Sequence, residues 1–150
     1  DVYREEMKRH GFRVETTLDT AILQETCNLI VTATPAAEPL LHVEHLQPGT
    51  HITAVGSDTP HKQELDARIL ARADLVVADS IAQCLERGEI HQAIKAGLLS
   101  ADRLVELGNV ISGETNGRTD GSQITIADLT GVAVQDIAIA TAVAERLSHA

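Results

Sequence analysis

The chain has 150 residues, 43% of them hydrophobic, and 22 acidic against 12 basic side chains give it a formal charge of −10. This length and apolar content suffice for one folded domain with a core, which excludes a disordered segment. Lys and Arg gather no further than the pair Lys8-Arg9, so no phosphate-tracking surface and no nucleic-acid partner is expected.

In chain order, Tyr3 to His10 is highly charged with a few apolar positions and reads as an exposed helix that Gly11 stops. Phe12 to Thr16 alternates as a strand does. Leu18 to Thr26 reads as a short helix with Asp19 near its start. Asn28 to Pro35 is a nearly continuous apolar strand halted by proline. Thr50 to Gly56, Asp74 to Ser80 and Ile124 to Asp128 repeat that form, and unbroken apolarity is what a strand covered on both faces requires. Between them, Glu64 to Ala73 places Leu65, Ile69, Leu70 and Ala73 on one helical face. One or two helices are expected from Ser80 through Gly88 and Gly97 to Leu107, then a glycine-marked loop from Ile111 to Gln123. Val134 to Leu147 closes the chain as an Ala- and Ile-rich helix. Tyr3 and Phe12 are the sole aromatics, so the interior is aliphatic helix on aliphatic sheet. Strands separated by helices pair in parallel through right-handed crossovers. The expected class is α/β, with one parallel sheet and helices on both faces.

Cys27 and Cys84 lack metal or redox spacing and are expected to be reduced and buried. No apolar run approaches a membrane span, and the N-terminus lacks the order of a signal peptide; a soluble cytoplasmic protein without a membrane partner is expected. Asp1 opens directly into a helical pattern with neither an initiator Met nor a cap, so an upstream portion is expected.

Ligands of open parallel sheets gather beyond the carboxyl ends of the strands. The residues there are Thr32-Ala33-Thr34-Pro35, Val55-Gly56-Ser57-Asp58, Asp79-Ser80 and Asp128-Leu129-Thr130-Gly131. Small residues and hydroxyls dominate, as close approach to a flat ring or a ribose requires. Asp58 follows a buried strand and Gly56, and a carboxylate there can exchange protons with a substrate; taken alone, Asp58-Thr59-Pro60 reads first as a turn. Lys62 alone reads as a surface lysine. His42 and His45 could share a helix face, but a metal site needs three or more convergent ligands, so they read as surface histidines and no metal is expected. Cys84 has no neighbouring base and reads as a structural thiol. No nucleophile elbow, phosphate loop or Gly-rich dinucleotide fingerprint is present.

The segments VTATPAAEPLL, LQPGTHITAVGSDTPHKQELD, ADLVVADS with GEI following, and DLTGVAVQDIAIA resemble motifs of the ornithine cyclodeaminase and mu-crystallin family, in order and spacing from about Thr26 onward. The resemblance implies an NAD(P)-binding, Rossmann-like sheet that is incomplete at the N-terminal side. Residues 1–133 would be that partial domain, and 134–150 a helix leading back toward a missing dimerisation and substrate domain. It implies an NAD- or NADP-dependent homodimer acting on a small amino or imino acid, as an imino-acid reductase or amino-acid dehydrogenase. An ornithine cyclodeaminase recycling its NAD and a non-catalytic binder of small ligands are the alternatives. In GSDTPHKQEL, Asp58 matches the family's catalytic aspartate and Lys62 the lysine near the nicotinamide. Thr34 and Pro35 match strand-end positions near the cofactor, and Val55, Gly56 and Ser57 the segment under the nicotinamide. Leu129 stands where many relatives carry a serine that meets the carboxamide, and Thr130 where a residue borders the substrate. The phosphate-binding glycine turn would lie upstream of Asp1, so the isolated 150 residues are expected to bind cofactor poorly.

Overall fold

The short apolar runs pair in parallel, as their separation by helices requires. The computed structural model describes residues 2–148. Its strands are β1 (Leu29–Thr32), β2 (His51–Ala54), β3 (Leu75–Ala78), β4 (Leu104–Glu106) and β5 (Thr125–Asp128), in the spatial order β1-β2-β5-β3-β4. Every pairing is parallel. The helices are α1 (Val2–Arg9), α2 (Thr20–Thr26), α3 (Ala67–Arg72), α4 (Ile81–Cys84), α5 (Gly88–Lys95), α6 (Leu107–Ser112) and α7 (Ala133–Ser148).

The register sets Ile30, Ile52, Ile126, Val76 and Leu104 in one row across all five strands, and all five are buried. Ile69 and Leu70 of α3, with Ile90 and Ala93 of α5, belong to the same core cluster. Removing this aliphatic surface from water is the main driving force for the layer. The opposite face is barely covered. Leu29 and Val31 of edge strand β1 are 64% and 63% exposed, and a cavity of about 400 Å³ lies over His51, Thr53, Val77 and Thr125, bounded by Leu107 and Val110 of α6. Helix α7 has no buried residue and exposes Ile137, Ile139 and Val143. No described helix is long and apolar enough to cross a membrane.

Several local expectations change. Residues 12–16 form no strand: an alternating run becomes a strand only beside a partner edge, and none is present. Leu104–Glu106, expected within a helical region, is instead an edge strand on β3, and three residues are too few to display a period. The helix expected from Glu64 starts at Ala67, because the Asp66 carboxylate accepts the Arg68 amide at 2.9 Å and caps it there. Leu65 bridges Leu41 instead, in parallel. Asp19 caps α2 in the same way, accepting from the Ala21 amide at 2.9 Å. Cys84 is buried as expected, whereas Cys27 is exposed, since it follows α2 just before the edge strand β1.

Gly88 opens α5 with φ +91°, and a Cβ there would stand 2.6 Å from Asp128 Oδ2 and 2.7 Å from Thr130 Cγ2. A positive φ strains any residue with a Cβ, so Gly88→Ala is expected to destabilise the fold by about 1–3 kcal/mol, read from the urea-unfolding midpoint.

Candidate active site

Parallel strands in register end at one edge. Thr32, Ala54, Asp128, Ala78 and Glu106 are aligned partners, and the bonding continues past them: the Val55 amide donates to Thr32 O at 2.8 Å, Leu129 to Ala54 O at 2.9 Å and Asp79 to Asp128 O at 3.1 Å. All the strand-end segments singled out in the sequence therefore share one rim. Strand alternation carries Ala33, Val55 and Leu129 to the face away from the core. Val55 is 43% exposed, and Leu129 borders the cavity on that face. The rim thus has an apolar shelf on its open side. Pro35 is exposed and Thr34 half-buried, and the Thr34 hydroxyl is turned inward, donating to Glu64 Oε1 at 2.8 Å.

The loop after β2 is pinned at both sides. Ser57 is buried and its hydroxyl donates to Lys62 O at 2.7 Å, while Gln92 of α5 donates to Pro60 O at 2.8 Å. This leaves Asp58 outside, with its side chain 54% exposed and its Oδ1 2.6 Å from Lys62 Nζ. The hydrogen bond from Lys62, with the Coulomb attraction of the same ammonium, holds the Asp58 carboxyl below its ordinary range. An exposed ionised carboxylate at such a rim can accept a proton from a bound amine.

Behind this loop lie three buried carboxylates, Glu64, Glu89 and Asp128; the sequence placed Asp128 at a strand end but gave none of the three a buried role. Glu64 Oε1 accepts from the Thr34 amide at 2.6 Å as well as from its hydroxyl, and Oε2 accepts from the Gly56 amide at 2.9 Å. Glu89 accepts from the Glu64 amide at 2.8 Å and the Leu65 amide at 3.0 Å. Asp128 accepts from the Ile90 amide at 2.8 Å, and its Oδ1 has no partner. The signal that could have found them was position. Glu64 and Glu89 each adjoin a buried apolar residue, and Asp128 ends a buried strand, yet acids are read by default as solvated. Burial pushes the Glu89 carboxyl up to about 7, against the lowering effect of the Glu64 and Leu65 amides. Burial likewise pushes Asp128 up to about 8, with Glu89 and Asp79 adding to the rise.

Asp79, at the end of β3, organises the loop after β5. Its Oδ2 accepts from the Gly131 amide at 2.9 Å and its Oδ1 from the Thr130 hydroxyl at 3.2 Å. Gln83 of α4 donates to Thr130 Oγ1 at 2.7 Å. Thr130 is buried within this network. Burial and the neighbouring Asp128 and Asp79 push the Cys84 thiol up to about 12, which excludes a thiolate nucleophile at neutral pH. His45 Nδ1 lies 3.0 Å from Glu25 Oε1. His42 instead groups with Glu44 and Asp66, whose ligand atoms lie within 4.8 Å of one another. The Arg68 guanidinium already bonds both carboxylates, so the group is an ion-paired surface cluster.

A parallel sheet whose small and polar loops converge on the carboxyl edge is a Rossmann-like α/β domain. The chain belongs to the ornithine cyclodeaminase/mu-crystallin family, whose model matches residues 3–150. It is 49% identical over 138 residues to an uncharacterized cyclodeaminase of Sinorhizobium fredii, an alignment covering 91% of this chain and 42% of that protein. Among solved structures, an archaeal alanine dehydrogenase dimer with bound NAD superposes with a TM-score of 0.89 at 35% identity, covering 96% of this chain and 44% of that one. The iminosuccinate reductase of Paracoccus denitrificans in complex with NAD+ gives 0.88 at 42% identity, covering 95% and 43%. The chain thus spans less than half the length of these relatives.

Glu89 and Asp128 bind their protons more tightly folded than unfolded. From about pH 4, where free carboxyls ionise, up to pH 7 for Glu89 and 8 for Asp128, the unfolded chain releases protons that the folded chain keeps, so stability falls as pH rises through that window. The urea midpoint is expected to be lower at pH 8.5 than at pH 5. Asp128→Asn, which retains a carbonyl for the Ile90 amide, should flatten that decline.

Proposed function

We propose that the chain is the nicotinamide-side portion of an NAD(P)-dependent oxidoreductase acting on a small amino or imino acid, with Asp58 as its general acid/base. The observation that carries this reading is the position of Asp58 on the carboxyl rim, ionised and exposed beside Lys62. The shelf of Ala33, Val55 and Leu129 suits a flat aromatic amide: Val55 and Leu129 offer apolar contact, and the short Ala33 side chain leaves room above the sheet. Thr34, Pro35, Gly56 and Ser57 would border the same ring, and the lack of a serine at position 129 leaves backbone groups to meet the carboxamide. The described residues contain no Gly-rich turn for a pyrophosphate, so the rim fits the nicotinamide end of the cofactor. The relatives with NAD and NAD+ bound support the choice of cofactor.

A bound nicotinamide supplies or takes the hydride at the substrate α-carbon. The protein's part is proton management and positioning. In the oxidative direction, ionised Asp58 takes a proton from the substrate amine while Lys62 moves off its carboxylate; in the reductive direction, protonated Asp58 gives one to the imine nitrogen. Thr130, fixed by Asp79 and Gln83, would border the substrate. Residues 1–133 would form part of the cofactor domain, and the exposed helix from 134 would lead to a second domain that completes the substrate pocket and a homodimer. A cytoplasmic location belongs to the same reading. The iminosuccinate reductase and alanine dehydrogenase relatives favour reductase or dehydrogenase chemistry; ammonia release without net cofactor consumption would instead mark a cyclodeaminase.

Asp58→Asn in the full-length protein is expected to leave folding intact, because the side chain is exposed and bonded to Lys62 alone, and to lower turnover by about 10²–10⁴-fold; near-normal turnover removes Asp58 from the role. Lys62→Met should raise the Asp58 pKa, so the acid limb of the oxidative kcat/KM profile moves to higher pH. A limb that stays in place would detach Lys62 from Asp58.

A further inference from the structure

The Glu64 carboxylate is fully buried, lacks a cationic partner among its hydrogen bonds, and receives three donors from two different strand ends. A parallel sheet ordinarily leaves the last amides of adjacent strands to water or ligand, because no further ladder residue meets them. Here one side chain from the loop before α3 meets both. Oε1 takes the Thr34 amide and hydroxyl beyond β1, and Oε2 takes the Gly56 amide beyond β2. The fit between these strand ends is close: a Cβ on Gly56 would stand 2.2 Å from Thr34 O, 2.5 Å from Thr34 N and 2.6 Å from the Glu64 carboxyl carbon. Glu64 is itself held, since Glu89 accepts from its amide and from that of Leu65.

We propose that Glu64 is a positioning residue for cofactor binding: by bonding the ends of β1 and β2 simultaneously, it sets the separation and peptide orientation of Thr34 and Gly56 on the rim. The inference rests on the reading of that rim as the nicotinamide site. The chemistry demands a carboxylate. Two of the partners are backbone amides, which can only donate, and the Thr34 hydroxyl donates as well; a carboxylate is acceptor-only. A glutamine of equal size must turn its NH2 group either toward the Gly56 amide or toward the Thr34 pair, opposing donor to donor. One strand end is then released while the core beneath, centred on Ile52 and Ile126, is untouched. Loosening of the rim lowers affinity for the group that lies on it, whereas the Asp58 loop is held separately through Ser57 and Gln92, so proton transfer there is retained once that group is bound.

The test is fluorescence titration of the full-length protein with NADH, alongside steady-state kinetics and circular dichroism. Glu64→Gln is expected to raise the NADH Kd about tenfold or more, the scale of losing a hydrogen bond to a charged group, while kcat at saturating cofactor stays within about threefold. Glu64→Asp keeps the acceptor-only group but is too short to span both strand ends, so it should raise Kd in the same direction; it carries the test where the glutamine variant does not fold. A wild-type Kd in a folded variant, or a reduced active fraction with unchanged Kd, overturns the proposal by making Glu64 a stabilising residue only. Absence of NADH binding by the unsubstituted protein overturns the reading of the rim, and the role of Glu64 with it, before any substitution is made.

Discussion

Strand β5 is bonded on both sides, to β2 and to β3, although it is the last strand in the chain. Its four residues close the gap between the two halves of the sheet and bring the loops after β1, β2, β3 and β5 to one edge. Parallel pairing in register admits no other placement of those loops, since each strand must end where its neighbour ends. The buried row from Ile30 to Leu104 stabilises that register, because a slip of one residue would turn the aliphatic side chains to the open face and the polar ones into the core.

The edge so formed has two layers. The inner layer is buried and made of acidic side chains: Glu64, Glu89 and Asp128 accept hydrogen bonds chiefly from backbone amides and link β1, β2, β5 and α5. Backbone donors can satisfy such groups, but burial, with repulsion from neighbouring acids added to it, leaves two of them with raised pKa values. The energetic cost of this arrangement grows as pH rises, and it falls on the residues that hold the rim in shape.

The outer layer is the more exposed of the two. Asp58 and Lys62 pair with each other outside the core, whereas Ser57 and Gln92 pin the loop between them. An accessible carboxylate on a loop with rigid support beneath is the arrangement that the proposed proton transfer to a small substrate would require. The open face of the sheet, with Leu29, Val31 and Val55 uncovered, lies on the side where the shelf can be approached.

The sequence by itself determined the buried strands, the aliphatic core and the location of Asp58 and Lys62 after β2, because continuous apolar runs and the GSDTPHKQEL segment are local patterns with local causes. It also marked Gly88 and the segment 128–131, though not what they touch. Tertiary structure alone decided the central place of β5, the short strand at Leu104–Glu106 and the failure of residues 12–16 to pair, since strand pairing depends on neighbours remote in the chain. It alone turned Glu64, Glu89 and Asp128 inward. An acidic residue is solvated unless donors converge on it, and here those donors come from segments 8 to 38 residues away, a convergence that exists only after the chain has folded.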